Sequence, residues 1–148
     1  MRIALCSDEP YPVHDVVRQL LEARGHEVKA FGAVESGREE SWADAAEAAA
    51  SSVARGECDE GVFFCWSGTG ISMAANKVAG IRAALCADPG AAAAARVWNH
   101  ANVLCLSNRS LSNDMAREIL EVWLDTEPGH KGTEGVARLN AVDQRQRK

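Results

Sequence analysis

The chain has 148 residues, 47% of them hydrophobic and 25% charged, which is typical of a single soluble domain with its own core. No apolar run reaches the roughly 18 residues of a membrane span, and no secretory signal follows Met1, so we expect a cytoplasmic protein without membrane contact. The net charge of −5 divides into an acidic body and, after residue 127, a basic tail, and the acidic body argues against nucleic acid as the main partner.

Hydrophobic periodicity predicts alternating strands and helices from the start of the chain. A first strand over Arg2–Ser7 precedes a helix over Val13–Arg24, in which apolar residues recur at helical spacing. A short second strand, Val28–Phe31, precedes an alanine-rich helix that ends near Gly56. The segment Ser41–Asp44 has the pattern of a capping box and predicts where this helix begins.

The same alternation continues to the basic tail. The remaining predicted elements are a strand over Gly61–Cys65, a glycine-rich loop over Trp66–Gly70, a helix through Met73 toward Lys77, a strand over Ile81–Ala87, a helix over Ala91–Val97 opened by Asp88 and Pro89, a strand over Val103–Leu106, a helix over Leu111–Leu124, a linker over Gly129–Gly135 and a short basic helix.

Five strands that are apolar throughout and alternate with helices indicate a parallel sheet covered on both faces. The predicted fold is a Rossmann-like three-layer α/β/α sandwich with a five-stranded parallel sheet. We assign residues 1–127 to one α/β domain and residues 128–148 to a basic C-terminal tail. Ligands of such sheets bind beyond the carboxyl ends of the strands, so the residues that follow each strand are the candidates for function.

The loop after the third strand has the richest chemistry. It contains Ser67, Gly68, Thr69 and Gly70 after Cys65, and backbone N–H groups in such a turn point outward at a positive helix end. We therefore expect a phosphate or a developing oxyanion here. The same field favours the thiolate of Cys65, a nucleophile or base, whereas a cysteine that ends an apolar strand is equally typical of a core residue. The local sequence leaves both interpretations open.

Known nucleotide and phosphate motifs do not match this loop. GxxxxGK[ST] is absent, Met73 stands where a dinucleotide pattern needs glycine, and Ile71 stands where a cysteine phosphatase loop needs arginine. Kinase, nucleotide-binding and phosphatase functions are therefore disfavoured.

The cysteines have no CxxC spacing, and three of the five fall in apolar runs that are typical of strands. We expect free thiols rather than disulfides or a zinc site. They are Cys6, Cys58, Cys65, Cys86 and Cys105.

Three segments together carry a family resemblance: GVFFCWSGTGISMAANK over residues 61–77, GIRAALC over residues 80–86 and NHANVLC over residues 99–105. With Asp8 and Arg109, they resemble the sugar-phosphate isomerases of the ribose-5-phosphate isomerase B and galactose-6-phosphate isomerase family. The resemblance covers nearly the whole chain. It implies an aldose–ketose interconversion through a cis-enediolate, on a sugar or sugar phosphate, without a metal or an organic cofactor.

The resemblance also implies roles for individual positions. Cys65 matches the base, Ser67 matches a hydroxyl residue beside the sugar oxygens, and the backbone from Ser67 to Ser72 matches an anion hole, as the loop itself predicts. Arg109 and Arg138 match phosphate-binding positions. The remaining expected substrate contacts are Asp8, Glu9, Trp66, Gly68, Thr69, Gly70, Ser72, Trp98 and Asn99.

A shared site is a further implication of the resemblance. It implies a homodimer or tetramer with each active site at a subunit interface, where the residues around Asn99 come from the neighbour. The basic tail would pack on that partner subunit.

Several positions depart from the family pattern. Glu9 stands where the family has histidine, and Trp98-Asn99-His100 stands where it has His-Asn-Asp, so the ring-opening histidine is missing from its place and His100 is the candidate substitute. A surface histidine without a catalytic role is the alternative interpretation of His100. Trp66 replaces a glycine.

Two further departures are Trp42, where the family has tyrosine, and Glu134, where it has arginine. A carboxylate about 4 Å from a phosphate costs on the order of 1 to 4 kcal/mol. We therefore hypothesise that the isomerisation machinery is retained while the substrate has changed to a different sugar phosphate or to a sugar without phosphate. Exposed tryptophans favour sugar stacking, or equally core and interface packing. A non-catalytic sugar-binding subunit of the same fold is the alternative from another functional class.

Overall fold

The computed structural model describes residues Met1–Arg147. Its centre is one five-stranded sheet, all parallel, in the order β2-β1-β3-β5-β4. The strands are β1 Arg2–Ser7, β2 Glu27–Gly32, β3 Glu60–Cys65, β4 Ala83–Leu85 and β5 Val103–Ser107. The helices are α1 Val13–Ala23, α2 Ala33–Ser36, α3 Trp42–Ala54, α4 Thr69–Asn76, α5 Pro89–Asn99, α6 Asn113–Asp125 and α7 Thr133–Gln146.

Side chains of the central strands alternate between two apolar cores. Leu5, Phe64 and Leu106 face a core that α1, α5 and α6 complete, whereas Cys6 and Phe63 face a core built with the alanines of α3 and with α4. Helices therefore cover both faces of the sheet, which confirms the predicted three-layer α/β/α sandwich. Within the described residues, no helix combines the length and the apolar character needed to cross a lipid bilayer.

The caps that were predicted from the sequence form as expected. The Ser41 side chain accepts a hydrogen bond from the Asp44 backbone N–H, and α3 begins at Trp42. Asp88 caps α5 in the same way, by accepting from the backbone N–H of Ala91.

The two edge strands differ most from the predictions. β4 has three residues rather than the seven of Ile81–Ala87, and both β4 and β2 are partly exposed rather than buried on both faces. The Asn76 side chain occupies both main-chain groups of Ala83, at 2.8 and 2.9 Å, on the edge of β4 that no strand covers. This side chain satisfies the strand edge locally, so a longer ladder is not needed there.

The C-terminal segment packs on the rest of its own chain. The α7 helix begins inside the predicted linker and spans 14 residues, longer than the short helix expected. It contacts α5 because Gly132 lies against the carbonyl oxygens of Val97 and Trp98, where a Cβ atom would come within 2.6 Å of each.

A buried ion pair fixes the amino edge of the sheet. Glu60, at the start of β3, pairs with Arg96 of α5 at 2.9 Å and accepts a hydrogen bond from the Trp123 indole, also at 2.9 Å. Arg96 donates to the backbone oxygens of Ala101 and Thr126 as well. These bonds hold the α5–β5 connection in place.

The order of the strands creates a crevice at the opposite, carboxyl edge. From β1 the chain runs outward to β2, whereas from β3 it runs to β4 at the other side of the sheet. Connections that leave adjacent strands in opposite directions open a space between them, at the carboxyl ends of β1 and β3. Asp8 and Cys65 lie at this position.

Candidate active site

The loop that follows β3 is fixed by a close approach to β5. Gly68 has a left-handed conformation with φ of 80°, and a Cβ atom there would lie 2.5 Å from Leu85 Cδ1 and 3.1 Å from the carbonyl carbon of Leu106. Both the conformation and the contact require glycine. The loop is therefore seated against the sheet, and the first turn of α4 starts directly after it.

Hydrogen bonds tie the same loop to the end of β5. The backbone N–H groups of Asn108 and Arg109 donate to the carbonyl oxygens of Cys65 and Trp66, at 2.9 and 3.0 Å. The Ser107 hydroxyl also donates to the Trp66 carbonyl, at 2.8 Å. These three bonds set the position of Cys65 relative to the second strand end.

Cys65 lies where an apolar strand meets this polar loop. Its side chain is 5% exposed, whereas Cys6 and Cys105 on the same face of the sheet are fully buried. Burial raises the pKa of the Cys6 and Cys105 thiols, and burial together with Asp88 raises the pKa of Cys86 to about 11. Cys65 is the one of these four thiols that borders the crevice.

Ser67 and Thr69 form a hydroxyl pair at the loop. Their side-chain oxygens are 2.6 Å apart, and the Thr69 N–H points to the Ser67 oxygen at 3.5 Å. The Ser72 hydroxyl donates to the Thr69 carbonyl, within the first turn of α4. The structure therefore brings Ser67, Thr69 and Ser72 together with the N-terminal amides of α4, as the sequence predicts.

Asp8 is a buried carboxylate at the end of β1. It is 7% exposed, and its Oδ1 has no hydrogen-bond partner among the described residues. Burial, and secondarily the charge of Glu9, raise the pKa of Asp8. Because the carboxylate lacks a protein partner for one oxygen, its ionised form is poorly stabilised in the free protein.

Glu9 is held at the rim of the crevice. Its backbone oxygen accepts from the Ser7 hydroxyl at 2.7 Å, and its carboxylate accepts from the Tyr11 hydroxyl at 3.3 Å. Burial and the neighbouring Glu9 raise the pKa of Tyr11, so this phenol remains a hydrogen-bond donor.

His14 is a buried residue of the crevice wall that the sequence analysis did not single out. Its Nε2 is 2.8 Å from the Asn108 Oδ1, and its Nδ1 accepts from the Tyr11 backbone N–H at 3.4 Å. Asn108 in turn donates to the Ser7 hydroxyl. Burial lowers the pKa of His14, which is therefore a neutral imidazole with both nitrogens engaged. The signal for its burial was present, because His14 shares a helical face with Val17 and Leu21.

Two indoles flank the loop. Trp42, at the start of α3, lies against Gly70, where a Cβ atom would come within 3.1 Å of the ring. Trp66 lies on the other side of Cys65, and the Arg109 guanidinium stacks 4.4 Å from its ring centre. The two tryptophans are 47% and 51% exposed. Trp42 thus joins the site, although the predicted set of contacts omitted it.

The remaining predicted residues lie at the opposite edge of the sheet. Trp98, Asn99 and His100 end α5 and precede β5, whose five residues span about 16 Å. His100 has a left-handed backbone with φ of 46°, and its Nε2 is buried without a partner among the described residues. A single chain therefore does not bring these three residues to Cys65.

Arg138 also lies outside the crevice. It is on α7, where it donates to the Glu134 carboxylate at 2.9 Å as an exposed pair. A cleft of about 570 Å³ lies beside this helix, between α7 and residues 76–84, and includes Asn99. A smaller cleft of about 400 Å³ lies at the carboxyl edge, beside Tyr11 and His14. The larger cleft is thus on the side away from Cys65.

No group of three or more histidine, cysteine, aspartate or glutamate side chains within residues 1–147 is arranged to hold a metal ion.

Comparisons with known proteins agree with the fold and with the residues of the crevice. A sequence model of the family described as Ribose/Galactose Isomerase matches residues 3–142. The chain is 38% identical to ribose-5-phosphate isomerase B of Escherichia coli over 89% of this chain and 88% of that protein. It is 34% identical to D-erythrulose-4-phosphate isomerase of Pectobacterium atrosepticum over 76% and 74%. The structure of ribose-5-phosphate isomerase B from Clostridium thermocellum matches with a TM-score of 0.92 and 35% identity, over 99% of each chain.

The burial of Asp8 leads to a stability prediction. We expect Asp8→Asn to raise the free energy of unfolding at pH 7 by on the order of 1 kcal/mol, because the amide is neutral where the carboxylate has an unpartnered oxygen. A raised folded-state pKa means that protonated Asp8 stabilises the fold at low pH and that this stability is lost as the pH rises through that pKa. The gain should therefore shrink as the pH falls toward about 4.

Urea unfolding between pH 4 and 7 measures this effect. Asp15→Asn is the control, since Asp15 is exposed in the first turn of α1 and its loss should lower stability at pH 7 by about 0.3 to 1 kcal/mol. A loss of stability in Asp8→Asn that is the same at both ends of the pH range would contradict the prediction.

Proposed function

The chain belongs to the ribose/galactose isomerase family of sugar-phosphate isomerases, and from that premise we propose that Cys65 is the base of its aldose–ketose interconversion. The observation that carries the proposal is the position of Cys65 at the end of β3, directly before a loop of outward backbone amides that is seated on β5 by Gly68. A base and an anion-stabilising loop are thereby adjacent.

The proposed reaction needs only groups of this crevice. The Cys65 thiolate removes the proton from C2 of the open-chain aldose, and the electron pair moves through the new C1–C2 double bond to O1. Backbone N–H groups of the loop stabilise this oxyanion, and the Ser67 hydroxyl passes a proton between O2 and O1. The Cys65 thiol then returns its proton to C1, which yields the ketose without gain or loss of atoms.

The surroundings of the thiols support the choice of Cys65. Cys6 and Cys105 lie in the apolar core, where burial raises their pKa and keeps them protonated. Cys65 adjoins the N-terminal amides of α4, which favour a nearby anion.

A second proposal concerns the substrate. To open a furanose ring, a site must protonate the ring oxygen, and the one histidine of the crevice wall, His14, is neutral and has both nitrogens bonded. His100 is at the other edge, with its Nε2 buried. A tetrose 4-phosphate cannot close a ring, because its O4 carries the phosphate. We propose that such an open-chain substrate is preferred, and the 34% identity to a D-erythrulose-4-phosphate isomerase favours it.

A third proposal concerns assembly. Asn99 and Arg138 match substrate and phosphate positions of the family, but they lie at the amino edge, about one strand length from Cys65. A second copy of the chain that places its amino edge over this crevice would complete the site, as in a symmetric dimer. We propose that each active site combines the carboxyl edge of one copy with Asn99 and Arg138 of the partner subunit.

The Cys65 proposal predicts a large loss of turnover in Cys65→Ala. Removal of a general base is expected to lower kcat by about 10²- to 10⁴-fold, with little change in KM. The measurement is isomerisation of ribose 5-phosphate, tetrose 4-phosphates and the corresponding free sugars.

Cys58→Ala is the matched control, because Cys58 is equally buried but lies before β3 at the amino edge. It should keep wild-type turnover. If Cys65→Ala stays within tenfold of wild type, Cys65 is not the base. If the wild-type protein isomerises no sugar, the chain is a non-catalytic binding subunit, and if it isomerises only free sugars, the substrate lacks the phosphate.

The substrate proposal predicts that kcat/KM for a tetrose 4-phosphate exceeds that for ribose 5-phosphate by at least about tenfold, the effect of one missing general acid–base group at its lower limit or less. The 4-deoxy analogue of ribose 5-phosphate separates ring opening from chain length, since it has the pentose length but lacks the hydroxyl that closes the furanose. It should be a better substrate than ribose 5-phosphate. Equal kcat/KM for ribose 5-phosphate and the tetrose would overturn this proposal.

The assembly proposal predicts recovery of activity in mixed dimers. Cys65→Ala and the double variant Asn99→Ala, Arg138→Ala carry defects at opposite edges, so one site of each heterodimer is intact. Random pairing should restore about a quarter of wild-type turnover in co-expressed protein. Cys65→Ala mixed with Asp8→Ala is the control, because both defects lie at the same edge and no intact site forms. Equal turnover of the two mixtures would show that the site is not shared in this way.

A further inference from the structure

The inference starts from the pair of Trp66 and Arg109 at the rim of the crevice. The guanidinium carbon lies 4.4 Å from the centre of the indole, within the range of a cation–π contact. Trp66 directly follows Cys65, and Arg109 follows the end of β5, so the pair spans the two strand ends that border the anion loop.

The backbone of each partner is already fixed where the side chains meet. The Arg109 N–H donates to the Trp66 carbonyl at 3.0 Å, and the Ser107 hydroxyl donates to the same oxygen at 2.8 Å. Because both main chains are held, the indole restricts mainly the side chain of Arg109. The stack therefore reduces the freedom that a long arginine side chain would lose on binding an anion.

Stacking leaves the hydrogen-bonding groups of the guanidinium available. The contact uses the planar face, whereas the five N–H donors lie in the plane and point outward. Within residues 1–147, no carboxylate pairs with Arg109. Arg138 differs, since its Nε and one terminal nitrogen donate to Glu134.

The same contact changes the role of Trp66. The sequence analysis expects this indole to stack on a sugar ring, but Arg109 covers one of its faces. A sugar contact is therefore not needed to explain why an aromatic side chain stands, half exposed, in this position.

We propose that Trp66 is a positioning residue, which holds the Arg109 guanidinium at the mouth of the anion loop so that its N–H groups bind the phosphoryl group of the substrate. This rests on the proposed function, because it takes the crevice of Cys65 as the substrate site. The ligand class is a sugar phosphate whose phosphoryl group reaches the rim beside Trp66, while the reacting carbons lie at Cys65.

The test compares Trp66→Leu with Trp66→Phe. Both replacements keep an apolar side chain on the exposed rim, and only phenylalanine keeps an aromatic face for the guanidinium. Arg109→Ala and the double variant Trp66→Leu, Arg109→Ala complete a double-mutant cycle.

Binding is measured by calorimetry with erythritol 4-phosphate, ribitol 5-phosphate and the two free alditols. These reduced sugars have no carbonyl group and cannot be isomerised, so affinity is obtained independently of turnover. In wild type, we expect the phosphates to bind more tightly than the free alditols. Arg109→Ala should weaken binding of the phosphates by about tenfold or more, the range of a hydrogen bond to a charged group.

Trp66→Leu should weaken binding of the phosphates by about 2- to 5-fold, which is the range of an exposed cation–π contact, and Trp66→Phe should retain most of the affinity. In the Arg109→Ala background, Trp66→Leu should have no further effect. Binding of the free alditols should be the same in all variants.

Equal losses in Trp66→Leu and Trp66→Phe, or an undiminished loss in the Arg109→Ala background, would overturn the proposal, because Trp66 would then act on the ligand directly. Equal wild-type affinity for the phosphates and free alditols would overturn it as well. That last result leaves the base role of Cys65 intact wherever Cys65→Ala still abolishes turnover of a free sugar.

Discussion

The left-handed turn at Gly68 determines the geometry of the whole crevice. Because the backbone there lies in contact with the Leu106 carbonyl, the loop after β3 cannot move outward without losing its contact with β5. The bonds from Asn108 and Arg109 to the carbonyl oxygens of Cys65 and Trp66 depend on the same contact. The base, the anion loop and the guanidinium at the rim are thus positioned by one junction between two buried strands, and these are the most rigid elements of the fold.

The same junction explains why the crevice tolerates a buried carboxylate. Asp8 is kept in place by β1, whose end is tied to β5 through the Ser7, Asn108 and His14 contacts. Its unpartnered oxygen is a destabilising feature that the core of the sheet offsets. A sugar hydroxyl that donates to this oxygen would satisfy it, so the free energy of substrate binding includes relief of an existing cost.

The sequence predicted the central strands, the caps of α3 and α5 and the anion loop, because each depends on local patterns: continuous apolar runs, capping side chains and glycine before a helix. It did not predict the length of β4, since the Asn76 side chain that closes its edge acts from seven residues away. Nor did it predict the environment of His14, whose partner Asn108 is 94 residues distant. Pairings between remote positions leave no periodic signal in one chain.

The placement of charges alters the interpretation of the acidic replacements. Repulsion of a phosphate by Glu9 and Glu134 was the reason to expect a changed substrate. In the structure, Glu134 pairs with Arg138, and the Glu9 carboxylate accepts from the Tyr11 hydroxyl. An exposed ion pair presents little net charge, so Glu134 acts mainly by occupying donors of Arg138.

Anion binding on a single chain then depends on the loop amides and on Arg109, whose donors are free because it stacks on Trp66. The glycine-to-tryptophan and arginine-to-glutamate departures are thus related in their physical effect: the first organises one guanidinium at the crevice, and the second engages another at the opposite edge of the sheet. A substrate recognised mainly at one end by a single arginine is a short one, and this agrees with a tetrose phosphate better than with a pentose or hexose phosphate.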